Sequence, residues 1–409
     1  KKVRNRQFFT KGIILFLTNM FSKIFSKNSD VFIISSHLSF KNLILLQLKL
    51  KQFPSIWSRK SRKYKFEDFD ELRKKYFFSF KQNLNPEFEA ILNIMLIKVM
   101  PRVYLEGFKH LPSMINKNGW PESPETIFTS NSYSSDEQFK FWAATKVEKG
   151  AKLIIGQHGG NFGMTQMAIH ESHQIKISDK WLSWGWKDKN NSKVSPIGNF
   201  KFKFKNIKRD PKGDALLVGM TLPRFSYYLY STPIASQMEN YFKNQFELVE
   251  SLPPSIQKKI RVRLYKEDRG WFQKERWKSK KYPVSFDNTN ISLLNSMKKS
   301  RLFIGTYNAT TYLETFSANI PSIIFWNPKH WELNKEAMEE FNKLKKVGIF
   351  YESPIEAAKH IEKVWEEIDD WWFQDNTQKA LNDFNEKYSR NNKFILKSIS
   401  DELNIKRRK

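Results

Sequence analysis

Short apolar runs recur along the chain and alternate with stretches whose apolar positions fall at helical spacing. The runs are Val31–Ser35, Thr126–Thr129, Leu153–Ile155 and Trp181–Trp186, then Ala215–Val218, Leu302–Ile304 and Ser322–Trp326. Continuous apolar runs of this length suit strands buried on both faces, as in parallel sheets. Arg261–Tyr265 alternates and also reads as a strand. Between the runs, Leu43–Leu50, Glu87–Val99, Glu137–Glu148, Asn161–Gln174, Ser236–Leu252 and Tyr312–Ala318 predict helices, Glu87–Val99 as a core helix. Strand–helix–strand repetition predicts the α/β class. The stretch after Trp186 is polar, and Lys201–Arg209 is dense in Lys; this reads as an interdomain linker. The expected organisation is therefore two α/β domains, 31–205 and 206–355. A basic N-terminal segment, 1–30, precedes them, and helices over 356–409 pack back across them.

Candidate chemistry gathers at the carboxyl ends of the predicted strands, where open α/β sheets bind ligands. After Leu153–Ile155 comes Gly156-Gln157-His158-Gly159-Gly160, whose glycines permit a sharp turn and close approach to a ligand. His158 is either a structural histidine in a turn or a catalytic one. After Thr126–Thr129 come Ser130 and, further on, Asp136, which reads equally as a helix N-cap or as a base. Val31–Ser35 leads to His37, Ala215–Val218 to Thr221 and Arg224, and Arg261–Tyr265 to Lys266. The segment Gly305-Thr306-Tyr307-Asn308-Ala309-Thr310-Thr311, with Glu314 one turn on, places hydroxyls at a helix start. Free N–H groups and the helix dipole suit a phosphate there, and Glu314 could reach a ribose hydroxyl.

Composition narrows the partners. The 409 residues suffice for two cores. The net charge is +28, from 70 Lys and Arg against 42 Asp and Glu, and Lys is spread along the whole length. Without a recognisable nucleic-acid module, that surface favours anionic lipid, nucleotide-linked substrates or acidic glycans, and nucleic acid is not expected as a partner. Absence of Cys excludes disulfides and thiolate metal sites and fits the cytoplasm. Residues 1–27 carry Phe16, Met20, Phe21, Ile24 and Phe25 beside Lys11, Lys23 and Lys27. Such a segment either packs on the first domain or touches an anionic membrane peripherally. Asp68-Phe69-Asp70 has the Asp-x-Asp spacing of metal-dependent glycosyltransferases, but it lacks a preceding strand and reads as a solvated helix face; no metal is expected.

Three blocks carry a family resemblance: Gly156–Gly163, then Ile177–Lys180 with Trp184-Gly185-Trp186, then Gly305–Thr311 with Glu314 and Ile320-Pro321. They resemble bacterial surface-carbohydrate transferases of the GT-B architecture, in particular the nonulosonic (pseudaminic and legionaminic) acid group. Asn319 stands where many GT-B enzymes have Gly. The resemblance implies two Rossmann-like domains facing a cleft. It also implies transfer of a sugar, such as pseudaminic acid from its CMP-activated form, to a cell-surface glycan, with no cofactor. On this basis His158 and Asp136 are the expected catalytic residues. Thr221, Arg224, Lys266, Thr306, Asn308, Thr310, Thr311 and Glu314 are expected to bind nucleotide. His37, Ser130, Gln157, Gly159, Gly160 and Glu171 are expected on the acceptor side. The alternatives are a UDP- or GDP-sugar donor, or a non-catalytic basic module that binds anionic glycan or lipid.

Overall fold

The computed structural model describes residues 30–58, 64–67, 73, 85–201, 207–226 and 230–404. The basic segment 1–27, Asp68-Phe69-Asp70 and most of the Lys-dense run after Lys201 lie outside the described residues. The chain forms two compact units, residues 1–156 with 396–409, and residues 157–395. The boundary that sequence places at 205/206 thus differs in position from this division at 156/157.

The first unit holds β1 (Phe32–Ile34), β2 (Thr126–Thr129) and β3 (Lys152–Gly156). β2 pairs in parallel with both β1 and β3. Their buried side chains explain the apolar runs: Phe32, Ile127, Phe128, Ile154 and Ile155 are all within the core. The helix Pro86–Val99 forms as its spacing predicts, with Asn85 as N-cap and Pro86 in the first turn. It is not a core helix, however. Ile91, Ile94, Met95 and Val99 are 59, 55, 49 and 60% exposed, and Asn93 is its buried residue.

In the second unit, β4 (Lys180–Ser183) and β5 (Val194–Pro196) pair in parallel. A six-stranded sheet follows, built from β6 (Asp214–Val218), β7 (Ile260–Arg263), β8 (Ser285–Phe286), β9 (Ser300–Gly305), β10 (Ser322–Phe325) and β11 (Phe350–Tyr351). Its order is β11-β10-β9-β6-β7-β8, and every pairing is parallel. The chain therefore winds outward from β6 to β8, returns beside β6 as β9, and winds the other way. This makes the β6/β9 junction a topological switch point, with Val218 opposite Gly305 at the carboxyl ends.

The helix Thr310–Ser317 starts at that junction and is held from behind by the helix Asp375–Tyr388. Phe384 lies 6.3 Å from the Tyr312 ring and 5.7 Å from that of Phe316. Its end explains the Asn at 319. Asn319 has φ +51°, the left-handed conformation that closes helices and that Asn tolerates better than most side chains. Its carboxamide bonds Trp372 Nε1 at 2.8 Å and both polar atoms of the Gln378 amide.

Candidate functional site

The loop after β3 is built by Gln157. Its backbone N–H donates to Leu182 O at 2.9 Å, and its Nε2 donates to Gly159 O at 2.8 Å. Its Oε1 accepts from Trp184 N at 2.9 Å and from Trp186 Nε1 at 3.1 Å. The side chain is 1% exposed. Each of these bonds goes to the fold, so Gln157, expected on the acceptor side, positions the loop. His158 is half-buried, and its ring stands edge-on to Phe162 at 5.1 Å. Phe162 meets Trp181 at 5.8 Å, and Trp181 meets Trp186 at 5.1 Å. An aromatic wall thus backs the imidazole.

Gly160 reaches the second strand-end loop. Its N–H donates to Thr310 Oγ1 at 3.1 Å, and a Cβ on it would lie 2.5 Å from Ala309 O. Gly159 is looser, with Phe162 at 3.4 Å from a built Cβ. The two candidate motifs of the sequence, the Gln-His-Gly-Gly loop and the Thr-Thr helix start, therefore meet within one unit.

The expected helix over Asn161–Gln174 is corrected: helix begins at Ile169. Gly163 adopts φ +74° with its Cα against Trp186, and the chain there runs as a zipped loop. Thr165 bridges Leu333, Ala168 bridges Tyr230, and Asn334 Nδ2 donates to Gly163 O at 3.0 Å. Met164 is consequently buried and Met167 is 50% exposed. Glu171 accepts from Gly163 N at 2.5 Å. The residue is part-exposed but its carboxyl is enclosed. Burial, with a smaller contribution from Asp188, pushes it up to about 7 although the Gly163 N–H pulls it down.

At the helix start, Ala309 is the N-cap and supplies no side-chain bond to the first-turn N–H groups. No N-cap side chain satisfies those donors, the arrangement that suits an anion. Tyr307 is fully enclosed and pushed up to about 12 by burial, with the Thr311 hydroxyl beside it opposing the shift and Glu314 and Tyr265 adding to it. Asn308 is buried, its Oδ1 accepting from Tyr312 Oη at 3.0 Å while its Nδ2 has no partner among the described residues. Burial raises Glu314, against the opposing pull of Lys201.

Three expected ligand contacts are turned inward instead. Thr306 donates to Val218 O at 2.9 Å and shares a 2.6 Å bond with Tyr241 Oη, so it stitches β9 to β6. Thr221 Oγ1 donates to Glu267 O at 2.9 Å. In the first unit, Ser130 is fully buried with Oγ donating to Ser36 O at 3.1 Å. In each case a buried hydroxyl has been satisfied by a neighbouring carbonyl, as burial demands. Asp136 caps the helix Glu137–Val147, its Oδ1 accepting from Phe139 N at 3.2 Å. His37 is exposed in the left-handed region, φ +57°. Arg224 is exposed and lies 5.8 Å over the Trp271 ring, with Nη1 donating to Gly270 O at 3.3 Å. Lys266 is exposed beside Tyr265, Phe286 and Thr289 on a cavity of about 300 Å³ at the ends of β7 and β8.

Sequence reasoning missed Lys201, which it placed in the linker. Its Nζ donates to His158 O at 3.4 Å, and it neighbours Glu314. It also missed Asn334, whose backbone and side chain both hold the Gly163–Met164 segment. Only tertiary structure brings either residue to the loop. Among the described residues, no group of three His, Cys, Asp or Glu is placed to hold a metal ion, and no helix is long and apolar enough to cross a membrane.

The model of the LIC12162 family transferases matches residues 1–403. No curated protein matches the chain. Among solved structures, a Listeria monocytogenes protein described provisionally as a UDP-N-acetylglucosamine 2-epimerase is 11% identical, with 91% of this chain and 95% of that one covered at a TM-score of 0.46. The UDP-GlcNAc 2-epimerase of Neisseria meningitidis bound to UDP-GlcNAc is 12% identical, with 74% and 83% covered and a TM-score of 0.40. WaaG, a glycosyltransferase involved in lipopolysaccharide biosynthesis, is 10% identical, with 91% and 99% covered and a TM-score of 0.35.

Proposed function

The chain belongs to the LIC12162 family transferases, and from that premise we propose that it moves a sugar from a nucleotide-activated donor onto a cell-surface glycan. The observation that carries the reading is the junction of the Gly160 loop with the uncapped start of the Thr310–Ser317 helix, at the β6/β9 switch point. An uncapped helix start beside a glycine backbone is suited to a phosphate. The Thr310 and Thr311 hydroxyls would add donors, and Glu314 would accept from a ribose hydroxyl. The cavity near Tyr265, Lys266 and Phe286 has room for a base, and Tyr307 feels both Tyr265 on that cavity and Thr311 at the helix start.

The finer reading is a CMP-linked nonulosonic acid donor. Its single phosphate leaves with the electron pair of the anomeric C–O bond as an acceptor hydroxyl attacks carbon. The developing charge falls on the helix start, where N–H donors are already oriented and need no reorganisation. His158 would take the hydroxyl proton or hydrogen-bond the departing phosphate. This scheme needs no metal. The amphipathic basic sequence at 1–27 supports a cytoplasmic protein peripheral to an anionic membrane.

Thermal shifts with CMP, UDP and GDP test the reading, because a ligand of the native state raises the melting temperature. A rise with CMP alone supports the nonulosonic donor. A rise with UDP or GDP instead moves the donor class and keeps the site. No rise with any of the three removes the nucleotide reading.

A further inference from the structure

The helix Pro86–Val99 keeps its polar contacts inside and its apolar residues outside. Buried Arg73 holds its carboxyl end: Nη2 donates to Met100 O at 2.6 Å, Nη1 to Lys98 O at 3.2 Å, and Nε to buried Glu106 at 2.5 Å. Asn93, the buried residue of the helix, donates from Nδ2 to Glu89 O at 3.2 Å. Phe88, Ile91, Ile94, Met95 and Val99 are exposed, and their spacing of three and four residues puts them in one stripe. An unbroken apolar stripe differs from the single apolar residues that any surface carries, and marks an interaction site.

Length and charge indicate what covers it. A helix of 14 residues rises about 21 Å, short of the roughly 30 Å of a bilayer's hydrocarbon core, so it lies in a membrane surface and does not span. Its acids, Glu87 and Glu89, stand in the first turn, where the helix dipole favours them. Lys98 is exposed one turn from Ile94 and Met95 on the same face. The helix Phe40–Lys49 of the same unit likewise exposes Phe40, Leu45 and Leu48 beside Lys41 and Lys49, and contains no acid. The first unit holds 32 Lys and Arg against 15 Asp and Glu, so +17 of the net +28 lies in it. An apolar stripe on so basic a unit complements a surface that is oily and negative.

We infer that the Phe88–Val99 face is a docking surface for an anionic lipid bilayer. Its apolar side chains enter the headgroup boundary, and Lys98 meets the lipid phosphates. The inference deepens the peripheral-membrane reading and adds to it a surface of the folded unit, independent of residues 1–27.

The test is flotation of the intact chain with phosphatidylcholine vesicles, with and without phosphatidylglycerol. The wild type should bind the anionic vesicles, and less so as salt rises. Ile91→Gln combined with Ile94→Gln and Met95→Gln should weaken that binding about tenfold or more at an unchanged urea midpoint, because Arg73 and not the stripe holds the helix. Lys98→Glu should weaken it on anionic vesicles alone. The chain has no Cys, so Ile94→Cys accepts a single environment-sensitive dye, whose emission should move to the blue on anionic vesicles. Normal binding by the triple variant, with no shift of the dye, would overturn the inference. If binding is then lost in Phe21→Gln with Phe25→Gln, the peripheral-membrane reading stands without it. A triple variant that unfolds, or that turns a dimer into a monomer, would assign the stripe to the rest of the chain or to a second copy and equally overturn it. A wild type that binds no vesicle overturns the peripheral-membrane reading and this inference together.

Discussion

The backbone N–H of Gly160 donates to Oγ1 of Thr310 at 3.1 Å, joining two loops 150 residues apart in the chain. Glycine is required at 160 by this approach, not by its torsion angles. A methyl group there would stand 2.5 Å from the Ala309 carbonyl oxygen and 2.6 Å from Thr310 Cα, both backbone atoms that cannot swing aside.

Gly160→Ala should therefore part the loop from the helix start. The expected cost is about 1–3 kcal/mol, typical of overpacking. Gly159→Ala is the internal control, since its nearest neighbour is the Phe162 ring at an ordinary 3.4 Å. Urea unfolding should show a clear loss for the first variant and little for the second. Equal behaviour would mean that the loops are not in the contact described.

Gln157→Leu removes the acceptor shared by Trp184 N–H and Trp186 Nε1–H. Each donor left buried and unpaired should cost about 1–3 kcal/mol. Turnover should fall along with stability, since the same side chain holds the Gly159 carbonyl. Full stability in the variant would contradict the positioning role.

Thr310→Val removes the oxygen that accepts from Gly160 and one donor from the helix start, whereas Thr310→Ser keeps both. The Val variant should lose roughly 1.5–3 kcal/mol of nucleotide affinity, the usual size for a hydrogen bond to a charged group. The Ser variant should bind nearly as the wild type does. Titration of the two side by side decides whether the hydroxyl or only the shape matters.

Much of the fold was legible in the sequence, and the part that was not has a physical cause. The runs at Thr126–Thr129, Ala215–Val218 and Ser322–Phe325 became strands because they are buried on both faces, which a local pattern records. The helical spacing of Met164, Met167 and Ala168 misled because Gly163 turns left-handed and the segment bonds residues far away, at 230–231 and 332–334. Thr221, Thr306 and Gln157 were polar residues at strand ends, as ligand-binding residues are. Whether such a group faces a ligand or a neighbouring carbonyl depends on tertiary contacts. Lys201 was hidden for the opposite reason: nothing in a Lys-dense run marks which lysine turns back to the His158 carbonyl.

Glu171 makes stability depend on pH. Its carboxyl rises from the ordinary 4.5 to about 7, so the folded protein favours the neutral form. That contribution is complete below pH 4.5 and is lost as pH rises through about 7; its size is on the order of 3 kcal/mol. Unfolding free energies of the wild type minus those of Glu171→Gln, measured from pH 4.5 to 8, should fall with rising pH. A flat difference would place the carboxyl in a solvated setting.

The central claim is that the chain turns over a nucleotide-activated sugar at the His158 loop. Mass spectrometry of reactions with a panel of CMP-, UDP- and GDP-linked sugars and a surface-glycan acceptor measures this directly. One donor class should be consumed, its nucleotide released and its sugar found on the acceptor. His158→Ala should slow that turnover by roughly 10²-fold, the size of a general acid–base contribution, at nearly unchanged melting temperature. A folded wild type that consumes no donor, or a His158→Ala protein that works at the normal rate, would contradict the account.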